Sequence, residues 1–144
     1  MKFRCNVAAL LLIGSFPGSL LAQSEPDGLS DLYLELNSVQ QTGGACRMTF
    51  MARNDTGETI DAAIFETVVF DMSGGVITLS LFDFRELPAG RPRVRQFDLP
   101  GVACASVGQT LINGASTCTV AGADSAVCQD ALKLGSRLDV ELLG

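Results

Sequence analysis

Three arginines occupy alternate positions in the segment RPRVRQF: Arg91, Arg93 and Arg95. Alternate side chains of a β-strand point to the same face, so a strand would align the three guanidinium groups. A guanidinium carries a planar fork of N–H donors that fits carboxylate and phosphate groups. The spacing is therefore compatible with three roles: protection of a sheet edge, binding of an acidic partner, and internal salt bridges to Asp83 or Glu86.

The same alternation places two apolar residues, Phe97 and Leu99, on the face of the three arginines. One face of a regular strand is not expected to be exposed to solvent and packed in the core at the same time. We therefore expect a bulge or a twist near Gln96 that turns Val94, Phe97 and Leu99 inward. The arginines would then lie on a splayed edge.

Other arrangements of reactive residues are sparse. The chain has no histidine, which excludes histidine-paired nucleophiles, histidine general bases and imidazole metal ligands. The tripeptide Asp55-Thr56-Gly57 matches that of aspartic proteases, but Asp and Gly are also ordinary residues of a turn between strands. The 16 acidic residues would permit a carboxylate pair for hydrolysis, and the sequence does not select one. We predict no catalytic residue, no metal site and no cofactor.

The N-terminal segment has the pattern of an export signal. Lys2 and Arg4 precede the apolar run VAALLLIGSF, and the following PGSLLA ends at the small residue Ala22. The apolar run falls short of the roughly 20 residues that a spanning helix needs. We therefore predict a signal peptide over residues 1–22, a single domain over residues 23–144, and a periplasmic or secreted location.

The charge of the chain restricts its partners. It contains 10 basic and 16 acidic residues, and cleavage would remove two basic residues and no acidic one, leaving a net charge of −8. Such a surface repels nucleic acid and anionic lipid. We expect no nucleic-acid partner and no membrane span in the mature domain. An acidic protein or envelope partner would have to bind at the local arginine cluster.

Four cysteines follow the predicted signal: Cys46, Cys104, Cys118 and Cys128. An even number in an exported chain predicts two disulfides, with three possible connectivities. No pair has the C-x-x-C spacing of redox or zinc sites. A link from the second predicted strand to a residue beside the sixth would join the two halves of a sandwich. We therefore predict Cys46 with Cys104, and Cys118 with Cys128.

The mature domain reads almost wholly as strands with period-two alternation. The predicted strands are DLYLELNSV, CRMTFMAR, residues 60–71, VITLSLFDF, residues 94–99, VGQTLINGA and RLDVELL. The apolar run TVVF predicts that the third strand is central or bulged. In DSAVCQDALKLG we predict one short helix, with Asp124 as N-cap, Lys133 in the last turn and Gly135 beyond its end. The fold class is an all-β, immunoglobulin-like two-sheet sandwich of about seven strands.

Several segments together resemble a known group. One resemblance is to small exported proteins of alphaproteobacteria that are described as signal-sequence domain proteins. The segments that carry it are, in this order, LYLELN, ACRMTFMARNDTG, FETVVFDMSGGV, RVRQFDLPGVAC and LING. The pattern of an N-x-T-G turn, a strand ending in Phe-Asp, a glycine hairpin and LPAG also resembles bacterial fibronectin-type and FxLYD-type immunoglobulin-like modules. The resemblance implies a sandwich fold and no particular activity.

The sequence favours two functions. The first is a non-enzymatic exported module that binds a partner, with Arg91, Arg93 and Arg95 as its contact surface. The alternative is a carboxylate-dependent hydrolase acting on a sugar or peptide of the cell envelope. The second function would require two close acids in a cleft, at least one of them with a raised pKa. The oligomeric state and the identity of the partner do not follow from the sequence.

Overall fold

Two β-sheets packed face to face make up the part of the chain that the computed structural model describes, residues 30–144. The predicted signal peptide lies outside these residues. The strands are β1 (Leu32–Thr42), β2 (Ala45–Asn54), β3 (Ile60–Asp71), β4 (Val76–Leu87), β5 (Arg93–Pro100), β6 (Val107–Val120), β7 (Ala123–Asp124), β8 (Leu132–Ser136) and β9 (Glu141–Leu143). One helical turn, α1 (Val127–Asp130), and one 3-10 turn, Cys104–Ser106, complete the described elements.

The strand order gives each sheet two distinct ends. Sheet A has the order β5-β2-β1-β8, and sheet B has the order β4-β3-β6-β7, with β9 also paired to β6. Strands β8 and β9 run parallel to β1 and β6, and the remaining pairs are antiparallel. The all-β two-sheet sandwich is therefore confirmed, while its immunoglobulin-like classification stays a prediction.

Alternation along the first two strands forms half of the core. Leu32, Leu34 and Leu36 of β1 are fully buried, as predicted from their period of two. The same holds for four alternate residues of β2: Cys46, Met48, Phe50 and Ala52. Phe50 packs edge-on against the rings of Phe82 and Phe84, which β4 contributes from sheet B. These contacts join the two sheets through aromatic side chains.

The third strand is central in sheet B, as the run TVVF predicts. It begins and ends at the predicted residues, Ile60 and Asp71, and pairs with β4 on one side and β6 on the other. Val69 points into the core, whereas its neighbour Val68 is buried on the outer face, in register with Leu79 and Leu111. Apolar neighbours on both faces explain the continuous apolar run.

Both predicted disulfides are present. Cys46 bonds to Cys104 with a Cα–Cα distance of 4.9 Å, and Cys118 bonds to Cys128 with 6.0 Å. The first links β2 of sheet A to the turn that leads into β6 of sheet B. The second holds α1 against β6, which confirms the expected position of the short helix.

The predicted helix is much shorter than its sequence pattern suggested. It covers only Val127–Asp130; Asp124 belongs to β7, and the N–H of Val127 is instead accepted by the hydroxyl of Ser125. Lys133 and Gly135 are not at a helix end, because Leu132–Ser136 forms β8. The backbone of β1 offers this segment a row of hydrogen-bond partners that a short isolated helix cannot match.

The last predicted strand is also divided. Residues 137–140 leave sheet A after β8 and lead to sheet B, so RLDVELL is a strand only over Glu141–Leu143. Leu142 is buried in the core as predicted, while Leu138 and Val140 are partly buried against it. A change of sheet interrupts the ladder although the alternation of side chains continues.

Candidate functional site

The arginine-bearing strand β5 is regular and lies at the end of sheet A. It pairs with β2 from Arg93 to Pro100 without any shift of register. Of the two alternatives predicted near Gln96, the bulge is therefore excluded, and the twist stays a prediction. The predicted inward position of Val94 is wrong, because the residue is 60% exposed, whereas Leu99 is buried as expected. The inward face of β5 runs from the solvated rim at Arg95 to the core at Leu99. This gradient lets an arginine and a leucine share one face.

Arg95 bridges the edges of the two sheets. Its Nε donates to the carbonyl of Phe84 at 2.7 Å and its Nη2 donates to the carbonyl of Glu86 at 3.1 Å, both on β4. Its Nη1 donates to the carbonyl of Val94 at 3.1 Å. An inward charge that occupies the free carbonyls of an edge strand is a device that prevents unwanted strand pairing. Arg95 thus has the geometry of edge protection.

Internal salt bridges, the third role considered for these arginines, do not form within residues 30–144. Arg95 contacts the backbone carbonyl of Glu86 rather than its carboxylate. The side chain of Arg93 donates to the carbonyl of Pro92, and Arg91 lies exposed just before β5. Within residues 30–144, no ion pair joins Arg91, Arg93 or Arg95 to Asp83 or Glu86, and the ion pairs lie elsewhere.

A fourth arginine, Arg85, joins this cluster from β4. It has a φ of +60°, a left-handed conformation that is costly for a residue with a long side chain. The side chain of Asp83 supports this turn of the backbone by accepting the N–H of Arg85 at 2.7 Å. Sequence reasoning missed Arg85 because it lies on another strand, outside the RPRVRQF segment. We call Arg85, Arg91, Arg93 and Arg95 the arginine surface.

The positive charges of the arginine surface act on one another. Partial burial lowers the pKa of Arg95, and repulsion from Arg85 and Arg93 lowers it further, while the nearby carboxylate of Asp83 opposes the shift. Arginine nevertheless stays protonated in water. The repulsion is therefore relieved by an added anion rather than by loss of a proton.

A shallow groove of about 490 Å³ runs along the same edge. Its lining consists of Leu81, Asp83, Arg85, Val94, Arg95, Gln96 and Phe97. Leu81 and Val94 are each 60% exposed, and the ring of Phe97 stacks on that of Phe82 at 4.2 Å. The groove therefore offers apolar contacts beside guanidinium groups.

The protease-like tripeptide is part of a turn. Asp55 forms an ion pair with Arg53 at 2.6 Å, and the hydroxyl of Thr56 donates to the side-chain oxygen of Asn54. Asn54 is only 1% exposed, and its Nδ2 donates to the carbonyls of Glu58 and Leu87. These bonds tie the loop after β2 to the end of β4. The arrangement matches the turn that the sequence also suggested.

Three carboxyl groups of residues 30–144 have a shifted pKa, and each of these pKa values is lowered. The contact with Arg137 is the largest cause for Glu35, the hydroxyl of Ser73 for Asp71, and the contact with Arg47 for Asp98. A lowered pKa keeps these groups ionised at neutral pH. No cluster of three or more metal-binding side chains occurs in residues 30–144, and no helix there has the length and hydrophobicity of a membrane span.

Comparison with known proteins supports the fold. No family model and no curated protein matches the chain. The structure of IrmA from Escherichia coli superposes with a TM-score of 0.60 at 14% identity, covering 72% of this chain and 90% of that one. A DUF1425 family member from a Shewanella species has a TM-score of 0.41 at 13% identity, covering 64% and 78%. The likeness to IrmA shows a shared fold only. The resemblances to alphaproteobacterial exported proteins and to FxLYD-type modules stay predictions.

Proposed function

We propose that the chain is a non-enzymatic, exported binding module that contacts an acidic partner through the arginine surface. One observation carries this proposal. Among residues 30–144, the three arginines outside that surface each form an ion pair with a carboxylate, namely Arg47, Arg53 and Arg137, whereas its four members form none there. In a chain of net charge −6, four neighbouring unpaired cations favour recognition of an anion.

The conformation of Arg85 supports the same function. Glycine occupies the left-handed region without steric cost, whereas an arginine there costs about 1 to 2 kcal/mol. The fold therefore holds a charged side chain at a position where a glycine would be less strained. Strain of this kind is often associated with a functional site.

Export is part of the proposal. It is supported by the pattern of residues 1–22 and by two disulfides, which persist in oxidising compartments. We expect the chain expressed in a Gram-negative host to appear in the periplasmic fraction, with an N-terminus at or within a few residues of Gln23. Cytoplasmic retention with an intact N-terminus would contradict export and would leave the arginine surface untouched as a binding site.

Binding is tested with a fluorescein-labelled decaglutamate peptide and polarisation at low salt. Removing Arg91 and Arg93 together (R91S/R93S) deletes two guanidinium groups that have no carboxylate partner within residues 30–144 and leaves Arg95 to join the sheets. We expect affinity to fall by about tenfold or more, since each tenfold step corresponds to about 1.4 kcal/mol. Increasing salt should weaken wild-type binding.

The matched control is K133S/R137S, which removes two positive charges at the opposite end of sheet A from the arginine surface. We expect it to retain affinity within about twofold of wild type, because distant exposed charges are screened. An equal loss of affinity in both double variants would mean that only the net charge of the protein matters, and it would contradict a defined binding site. Absence of wild-type binding would remove the proposed function.

The hydrolase alternative gains no support from a particular residue. A hydrolase of this kind requires a carboxyl group with a raised pKa beside a second acid. The pKa of each of the three carboxyl groups named above is lowered instead. We therefore retain only the binding function.

A further inference from the structure

The outer edge of β5 has backbone groups that no strand of residues 30–144 pairs with. β5 is the terminal strand of sheet A, so no strand of residues 30–144 lies on its far side. The carbonyl of Val94 accepts a bond from the guanidinium of Arg95, which shows that it faces away from β2. Because the register with β2 is regular, the backbone groups of Gln96 and Asp98 face the same way. These groups form a short free template for an added strand.

The neighbouring edge of β4 is less available. The guanidinium of Arg95 already occupies the carbonyls of Phe84 and Glu86. A strand adding to β4 at this point would have to displace both hydrogen bonds. Addition to β5 leaves these two bonds in place and displaces only the bond from Nη1 of Arg95 to the carbonyl of Val94 at 3.1 Å.

The side chains beside the β5 edge define the chemistry of an added strand. Leu81, Val94 and Phe97 offer apolar surface, while Arg85, Arg93 and Arg95 supply positive charge within the same narrow region. Side chains of an extended peptide alternate between two faces. A peptide that alternates apolar and acidic residues would meet both kinds of surface.

A second copy of the chain fits this edge poorly. Pairing β5 with another β5 would bring one arginine surface close to another, and like charges across strands are destabilising. The edge is therefore complementary to an acidic segment rather than to itself.

We propose that the arginine surface captures an extended acidic peptide of a partner protein, which adds as a strand to the free edge of β5 at Val94–Asp98. This inference rests on the proposed function and specifies its partner. Main-chain hydrogen bonds to β5 hold the peptide, and the guanidinium groups select its carboxylates.

The test compares two ten-residue peptides with the same alternating Glu and Val side chains. In the second peptide, alternate backbone nitrogens are methylated, which removes strand hydrogen bonds and keeps the charge. We expect wild-type protein to bind the unmethylated peptide at least about tenfold more tightly, equivalent to one or two main-chain hydrogen bonds. Hydrogen exchange should show new protection at the amides of Gln96 and Asp98.

A variant probes the same edge from the protein side. Gln96→Pro removes a backbone N–H that faces away from β2, a substitution that edge strands accommodate. We expect it to melt within a few degrees of Gln96→Ala, to lose the preference for the unmethylated peptide, and to bind the methylated peptide as Gln96→Ala does. Hydrogen exchange of the wild type gives a result that does not depend on the folding of this variant.

The outcomes separate the two proposals. Equal affinity for both peptides, lost in R91S/R93S, would overturn strand addition and retain the acidic-partner function. Failure of wild type to bind either peptide or decaglutamate would overturn both. Protection of Gln96 and Asp98 that increases with protein concentration alone would identify a second copy as the occupant and overturn the peptide proposal.

Discussion

The two edges of the sandwich are held together by different contacts. At the closed edge, where β8 ends sheet A and β7 and β9 flank β6, the Cys118–Cys128 disulfide holds α1 in place. Residues 137–140 also carry the chain from one sheet to the other there. At the open edge, no disulfide or strand pairing links β4 to β5 within residues 30–144. Residues 88–92, the stacked rings of Phe82 and Phe97 and the hydrogen bonds of the Arg95 guanidinium join them.

The difference also extends to charge. At the closed edge, Arg137 pairs with the buried carboxylate of Glu35 at 2.7 Å. At the open edge, Arg85, Arg91 and Arg93 remain without a carboxylate among the described residues. Positive charge without a carboxylate partner is therefore concentrated at the edge where the outer side of β5 has no paired strand among residues 30–144.

Breaking the closed edge should have the largest effect. The double variant C118A/C128A removes a link across a sequence separation of 10 residues. Loop entropy predicts a loss of about 3 kcal/mol in the free energy of unfolding. Urea denaturation of both proteins without reductant measures it. A loss below about 1 kcal/mol would mean that packing alone holds α1 and that the two edges are more alike than the covalent link suggests.

Breaking the open edge should cost less. Arg95→Met keeps the apolar stem and removes the donors to three carbonyls. We expect a loss of about 1.5 kcal/mol, since water partly replaces the bonds and repulsion from Arg85 and Arg93 is relieved. Arg93→Met is the control and should stay within about 0.5 kcal/mol of wild type. Similar losses in both variants, measured by urea denaturation, would contradict a special role for Arg95.

A buried hydroxyl near the closed edge should allow stabilisation. Thr110 of β6 pairs with Leu142 of β9, is fully buried, and its Oγ1 has no hydrogen-bond partner in the described structure. Thr110→Val should therefore raise the free energy of unfolding by about 1 kcal/mol. The control is Thr67→Val, because the equally buried hydroxyl of Thr67 donates to the carbonyl of Phe65. A thermal melt in which Thr67→Val gains as much as Thr110→Val would contradict this explanation.

Lowering the pH should have the smallest effect, through the ion pair between Glu35 and Arg137 at the closed edge. The hydrogen bond from Arg137 lowers the pKa of Glu35 below its ordinary value of 4.5, so the carboxylate stabilises the folded state above that pH. This contribution is lost as pH falls from about 4.5 through the lowered pKa of the folded state. The stability difference between wild type and Glu35→Gln should shrink over this range. A difference that stays constant with pH would show that the pair contributes nothing through its charge.

Much of the framework follows from local patterns in the sequence. The alternation in β1 and β2 identifies their buried residues, because a strand reverses its face at every residue wherever it is placed. The even number of cysteines and their positions beside predicted strands indicate both disulfides. The same local reasoning fails for DSAVCQDALKLG, whose second half pairs with β1 as β8. A helix signal in a short segment is weaker than a free sheet edge supplied by a distant strand.

The sequence by itself determined most of the strands, the inward faces of β1 and β2, the number of disulfides and the presence of three arginines in alternate positions. Only the tertiary structure decided what those arginines contact. It placed the carbonyls of Phe84 and Glu86 opposite Arg95 and brought Arg85 into the same cluster. It also left the outer side of β5 without a paired strand among residues 30–144. The physical reason is that alternation depends on the backbone of one strand, whereas a free edge depends on which strands, far apart in the chain, come to lie side by side.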